Sequence, residues 1–247
     1  MFTGTSYALI DAAHVKGMWL FEEGKGDKSA DVSGTGLDAK LVSGPKWVEG
    51  KFGKALEFDG KASYVEIPEH ENPSDAITVT AWAKSPNPAW NQHGFLVEKR
   101  DAYILHPVQG ATTMAWCVVN GAPWNAPQSW NTGAVGPKDI TAWHMYTATF
   151  DSKTGRWAIY IDAVESSKLD LNKAKLTVER GPVHIGWDEC CGGRWGAATI
   201  DEVAIFDVAL TPDEIKDVMN NGLYQSVLAV QPNGKLSTVW GRLKDRE

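Results

Sequence analysis

Cysteine is scarce in this chain, at 3 of 247 residues, and no spacing among the three supplies the four ligands of a structural zinc site. Long apolar runs are missing too: none reaches the roughly 20 residues that a membrane-spanning helix needs. Positive charge is in deficit, with 24 Lys and Arg against 31 Asp and Glu and a formal net charge of -7. That balance argues against binding that depends on phosphate backbones or anionic lipid, so neither nucleic acid nor membrane insertion is expected. There is no Ser nucleophile elbow, no metalloprotease helix and no internal repeat, and Gly24-Lys25-Gly26 is too short to cradle a phosphate.

What the chain does have is β-strand patterning cut by turns. Trp143 to Phe150 is rich in β-formers, Asp151-Ser152-Lys153-Thr154-Gly155 is a turn cluster, and Trp157 to Ile161 returns, which predicts a hairpin. Near the end, Ile200 to Phe206 suits a buried strand. Thr211 then offers an N-cap, Pro212 the first helical position and Glu214 the third, which predicts a short helix.

Three ordered motifs carry a resemblance. Gly17 to Gly24 followed by Asp31-Val32-Ser33-Gly34-Thr35-Gly36, Ala55 to Gly60 with Tyr64 to Pro68, and the Ile200 to Ile215 run are similar to the laminin-G-like domains of the concanavalin A-like lectin/glucanase superfamily. The resemblance implies an all-β fold, an antiparallel two-sheet jelly-roll sandwich with a short C-terminal helix. It places an N-terminal extension at 1–14, the sandwich at 15–224 and a tail at 225–247. It also implies secretion or a cell-surface or periplasmic location. Phe2 to Ala8 is similar to the end of a secretory signal, with small residues at Ser6 and Ala8, although a basic leader and full apolar core are missing. The fold hosts lectins, hydrolases, lyases and adhesive modules, so it does not by itself decide function.

The same resemblance implies a structural calcium ion where the opening loop meets the last strand, with Asp31, Ser33, Gly36, Asp59 and Asp201 as the expected ligands. Calcium takes about six to eight oxygens from carboxylates, carbonyls and water. The family's usual Asn is Thr35 here, and a following Gly is Ala39.

Tryptophan is abundant, at 12 residues. Trp19, Trp82, Trp143 and Trp157 fall in strand patterns and read as core, whereas Trp90, Trp124, Trp130, Trp187 and Trp195 lie among Asn, Gln, Gly, Pro and Asp. Flat rings stack on the C–H faces of sugars while polar neighbours bond the hydroxyls, so Trp124, Trp130, Trp187, Asp188, Arg194 and Trp195 are the candidate ligand-binding residues. Between them stand Cys190 and Cys191, which allow a vicinal disulfide, two free thiols or a bond from one to Cys117; Cys117 itself reads as a buried thiol in an apolar strand. An enzyme on this fold is expected to carry the Glu-x-Asp-x-x-Glu triad, which is not present; Glu98, Arg100, His106, His184 and Glu189 are the scattered catalytic candidates. Three readings follow: a carbohydrate-binding module for a polysaccharide or glycan, a polysaccharide hydrolase or lyase, and a protein-adhesion or structural domain.

Overall fold

The computed structural model describes residues 9–121 and 130–228; the signal-like Phe2 to Ala8, Trp124 and the tail beyond Leu228 lie outside the described residues. In chain order the strands are β1 (Val15–Trp19), β2 (Lys28–Ser29), β3 (Ala39–Val42), β4 (Lys46–Glu49), β5 (Lys54–Asp59), β6 (Tyr64–Ile67), β7 (Ala76–Lys84), β8 (Val97–Lys99) and β9 (Tyr103–Pro107). They continue as β10 (Met114–Val118), β11 (His144–Asp151), β12 (Arg156–Ile161), β13 (Val164–Asp170), β14 (Val183–Ile185), β15 (Trp187–Asp188), β16 (Arg194–Trp195) and β17 (Ala197–Phe206), before helix α1 (Pro212–Leu223).

Two antiparallel sheets form the sandwich. The first has the order β13-β12-β11-β7-β17-β5-β4, with β1 also paired to β17, and the second β10-β9-β8-β14-β6-β3-β2. Alternation decides which side chains meet between them: Val65 and Ile67, Val183 and Ile185, Val97 and Leu105 all point inward and join Trp19, Trp116 and Trp157 in one buried cluster. A second apolar cluster covers the outer face of the first sheet, where Met18, Trp82, Met145 and Phe206 meet Ile215, Val218 and Leu223 of α1. Ile10 and Val227 belong to this second cluster, and the Ile10 amide donates to the Ser226 carbonyl at 3.2 Å. Ile10 and Val227 thus tie the segments flanking the sandwich to the outer face of its first sheet.

The predicted hairpin is β11–β12, in register from Tyr146 opposite Ile161 to Asp151 opposite Arg156. The following turn to β13 uses Asp162 and Ala163, both left-handed at φ 50 and 60, the geometry that twists a two-residue hairpin correctly and for which glycine is the usual second residue. The helix begins as its residues predict: Thr211 accepts from the Glu214 amide, and the Glu214 side chain accepts from the Thr211 amide at 2.7 Å.

The Ile200-Asp-Glu-Val motif works as a latch. β17 bulges between Asp201 and Ala204 and Glu202 takes a left-handed φ of 48, so the two acids serve two neighbours. Asp201 accepts from the Lys51 and Phe52 amides at 2.8 and 3.0 Å, while Glu202 accepts from the Leu223 amide at the end of α1.

Candidate functional site

The outer face of the second sheet carries the polar chemistry. Register aligns Lys40, Glu66, His184, Glu98, Ile104 and Cys117 on one rung across five strand pairings. Glu98, His184 and Cys117 are nonetheless buried, because the β15–β16 hairpin and the segment at Trp130 lie over this face. His184 Nδ1 pairs with Glu98 Oε2 at 3.0 Å. Burial raises the Glu98 carboxyl above the usual range despite the histidine, and burial pushes the Cys117 thiol up to about 12, so it is an inert thiol as its strand predicted.

Above that floor the hairpin assembles an aromatic cluster. Trp187 lies opposite Trp195 across the two-strand ladder, and their rings stack at 5.0 Å with 13° between planes. Tyr64 tilts against both, at 4.8 and 5.7 Å, and His184 supports Trp187 from below at 4.7 Å. The Trp187 indole N–H is buried and meets no acceptor among the described residues. Asn91 braces the hairpin, donating to the Trp195 carbonyl and accepting from the Ala197 amide, each at 2.8 Å.

Asp188 organises the charge. It is fully buried and accepts from Arg194 Nη1 at 2.8 Å, Arg100 Nη1 at 3.2 Å and the Cys190 amide at 3.0 Å. Gly94 makes this possible, since a Cβ there would overlap the Asp188 carboxylate and the residue is left-handed at φ 81. The Arg194 guanidinium lies over the Trp130 ring at 5.5 Å, and Trp130 stacks on His106 at 4.1 Å. Burial lowers His106 to about 4; its two ring nitrogens lie 2.9 and 3.1 Å from the Pro107 and Trp130 carbonyls, and the neutral ring, with one N–H, donates to one of them. Cys190 and Cys191 form a vicinal disulfide at the hairpin tip. Cys191 is exposed there, with a left-handed φ of 62.

Of the residues expected to bind ligand, Trp130, Trp187, Asp188, Arg194 and Trp195 come together; Trp124 lies outside the described residues. Trp90, expected on a loop surface, is buried in the main core. Of the catalytic candidates, Glu98, His184 and Arg100 join the same patch as structural partners, His106 is packed beneath Trp130, and Glu189 is exposed at the hairpin turn. Tyr64 joins the cluster without being among the expected residues: it belongs to the Tyr64 to Pro68 fold motif, and its outward phase next to inward Val65 is the signal for it.

Of the five residues expected to hold calcium, Asp31 and Ser33 meet in the opening loop, while Asp31, Asp59 and Asp201 do not form one group. Asp31 accepts from the Met18, Ser33 and Leu37 amides and from the Ser33 and Thr35 hydroxyls; burial works against ionisation, but those bonds hold its carboxyl below the usual range. Asp59 caps the β5–β6 turn through the Lys61, Ala62 and Ser63 amides. Asp201 is committed to Lys51 and Phe52, and burial together with Glu202 beside it raises its carboxyl to about 8. Among the described residues no group of three or more His, Cys, Asp or Glu is placed to hold a metal. The acids of this set serve separate backbone turns.

The family model of the concanavalin A-like lectin/glucanases superfamily, in its laminin G form, matches residues 59–216. The chain belongs to this family. No curated protein matches it in sequence. Among solved structures, this laminin-G-like chain is similar to the binding domain of Paraclostridial Mosquitocidal Protein 1, at 15% identity and a TM-score of 0.65, covering 85% of this chain and 52% of that one. It is also similar to the binding domain of botulinum neurotoxin serotype G, at 13% identity and a TM-score of 0.62, covering 83% and 50%. Domain 4 of AbnA, a GH43 extracellular arabinanase from Geobacillus stearothermophilus solved with arabinotriose, matches at 18% identity and a TM-score of 0.58, covering 83% and 98%. The laminin-G-like chain thus spans about half the length of the toxin binding domains and nearly all of the arabinanase domain. At these identities the likeness is one of fold.

Proposed function

We propose that this protein is a carbohydrate-binding module of a secreted or cell-surface setting, with the β15–β16 hairpin as its sugar-binding wall. The observation that carries the reading is the stacked Trp187–Trp195 pair beside Arg194, with Asp188 fixing the guanidinium. Stacked indoles offer a flat apolar surface to a pyranose or furanose ring, and a braced Arg donates to hydroxyls without having to be ordered on binding. The vicinal disulfide suits an oxidising compartment. The arabinanase domain solved with arabinotriose is an extracellular module of the same fold, which supports the ligand class, as does the family's name.

Binding is favoured over hydrolysis by the state of the acids. Glycoside hydrolysis needs two carboxyl groups flanking the scissile bond, whereas Glu98 and Asp188 are fully buried and tied to His184, Arg100 and Arg194. A protein ligand is the second reading; one toxin domain of this fold was solved with rat synaptotagmin II.

The test is depletion and calorimetry on soluble and insoluble polysaccharides, followed by Trp195→Ala. Removing one stacking ring at about 1–2 kcal/mol, extended from aromatic-pair energetics, weakens binding about five- to thirtyfold. Retained affinity for a verified glycan would return Trp195 to a packing role, and release of new reducing ends would favour the hydrolase.

A further inference from the structure

On the opposite side of the sandwich, the outer face of the first sheet holds a cleft of about 470 Å³ that the hairpin does not touch. Its walls come from five separate parts of the chain: Trp82 of β7, Trp143 just before β11, Asp162 of the β12–β13 turn, Lys51 and Phe52 of the β4–β5 turn, and Met219 and Asn220 of α1. Strand patterning marks Trp82 and Trp143 as core, yet Trp143 is only half-buried and both border this cleft. Phe52 meets Trp82 edge-on at 6.1 Å, Lys51 Nζ lies 4.4 Å over the Trp82 ring, and Lys84 Nζ lies 4.9 Å over the Trp143 ring.

Three details describe the polar lining of this cleft, the first of them shared with Trp90 and Trp116 of the main core. Trp82 is 3% exposed, yet among the described residues its indole N–H meets no acceptor; a buried donor without a partner is costly. Asp162 is held in place, with His144 Nδ1 at 2.6 Å on one oxygen and the Met145 amide at 3.0 Å on the other. Each carboxylate oxygen keeps a lone pair for a further donor. Finally, the polar wall groups are one ammonium, one carboxylate and one amide, a set that sums to no net charge and supplies both donors and acceptors.

We propose that this cleft is a second saccharide site, independent of the hairpin, that takes the terminal residue of a neutral oligosaccharide. The Trp143 ring stacks on the sugar's C–H face, Asp162 accepts from a vicinal hydroxyl pair, and the Lys51 ammonium and the Asn220 amide donate to ring and hydroxyl oxygens. With sites on both outer faces, one module would hold two glycan chains, or two points of one chain, and gain avidity from the second contact.

The experiment follows the tryptophan indole N–H resonances of 15N-labelled protein, assigned by single Trp→Phe variants, during separate titrations with arabinotriose, cellotriose and chitotriose. Trp82 and Trp143 signals are expected to shift saturably with at least one trisaccharide, and to do so equally in Trp195→Ala. Lys51→Ala, an exposed position, and Trp143→Ala should each weaken that response about three- to tenfold. The Lys51 variant keeps the test valid if loss of Trp143 disturbs folding. Unmoved Trp82 and Trp143 signals with all three sugars overturn the second site, as does a response that vanishes in Trp195→Ala. Shifts at Trp187 and Trp195 alone overturn only this inference, and shifts at Trp82 and Trp143 alone overturn only the hairpin reading.

Discussion

At the scale of single residues, the acids of the family motifs act on backbone turns. Asp31 illustrates this: five protein donors surround one carboxylate, joining the 31–37 loop to Met18 of β1. Asp31→Asn replaces one acceptor by a donor facing N–H or O–H groups, and leaving such groups unpaired costs about 1–3 kcal/mol. A lower urea midpoint is expected, by the same amount with calcium or with chelator. A loss confined to calcium-containing buffer would restore Asp31 to the metal-ligand role that the family resemblance implied.

At the scale of elements, the β15–β16 hairpin is short, two paired residues on each strand, and it sits outside both main sheets. Its shape depends on the Asp188 ion pairs, the Asn91 brace and the Cys190–Cys191 link. Reduction, or Cys190→Ser with Cys191→Ser, frees the tip that positions Arg194. Ordering that loop on binding then costs about 0.5–1.5 kcal/mol, so glycan affinity should fall about two- to tenfold while the melting temperature changes little. Peptide mapping without reductant should show a two-proton mass deficit within the single peptide containing both cysteines. Full labelling of both thiols in oxidised material, or unaltered affinity after reduction, would remove the link from the account.

At the scale of the whole molecule, stability and pH are coupled through acids displaced in opposite directions. Burial raises Asp201 to about 8 and Glu202 to about 7. The folded protein therefore keeps protons that the unfolded chain releases from the ordinary carboxylate range upward. Stability from these groups is present in mild acid and is lost as pH rises toward about 8, with a slope of about 1.4 kcal/mol per pH unit for each unmatched proton. Asp31 and Asp59 are held below the usual range by their hydrogen bonds, and their contribution is lost only as pH falls into strong acid. The melting temperature should thus decline between about pH 5 and pH 8, and Asp201→Asn, which mimics the protonated acid, should flatten that decline. A rising or flat profile for the parent protein over that range would contradict the assignment.

The architecture was legible in the chain because it rests on local rules. Alternation placed Val65 and Ile67 inside, the turn cluster at 151–155 closed the β11–β12 hairpin, and Thr211, Pro212 and Glu214 started α1; each depends on residues a few positions apart. Half of the hairpin site was legible for the same reason, since Trp187, Asp188, Arg194 and Trp195 fall in one unpatterned loop. Long-range pairing decided the rest. Whether Asp31 serves a metal or a turn depends on donors from Met18 and Leu37, and Trp82 borders a cleft only because α1 and the β12–β13 turn close around it. Arg100 reaches Asp188 across 88 residues, and Tyr64 meets the tryptophans only because β6 pairs with β14. A side chain's type and spacing determine what it can do, but its partners are set by which strands lie side by side.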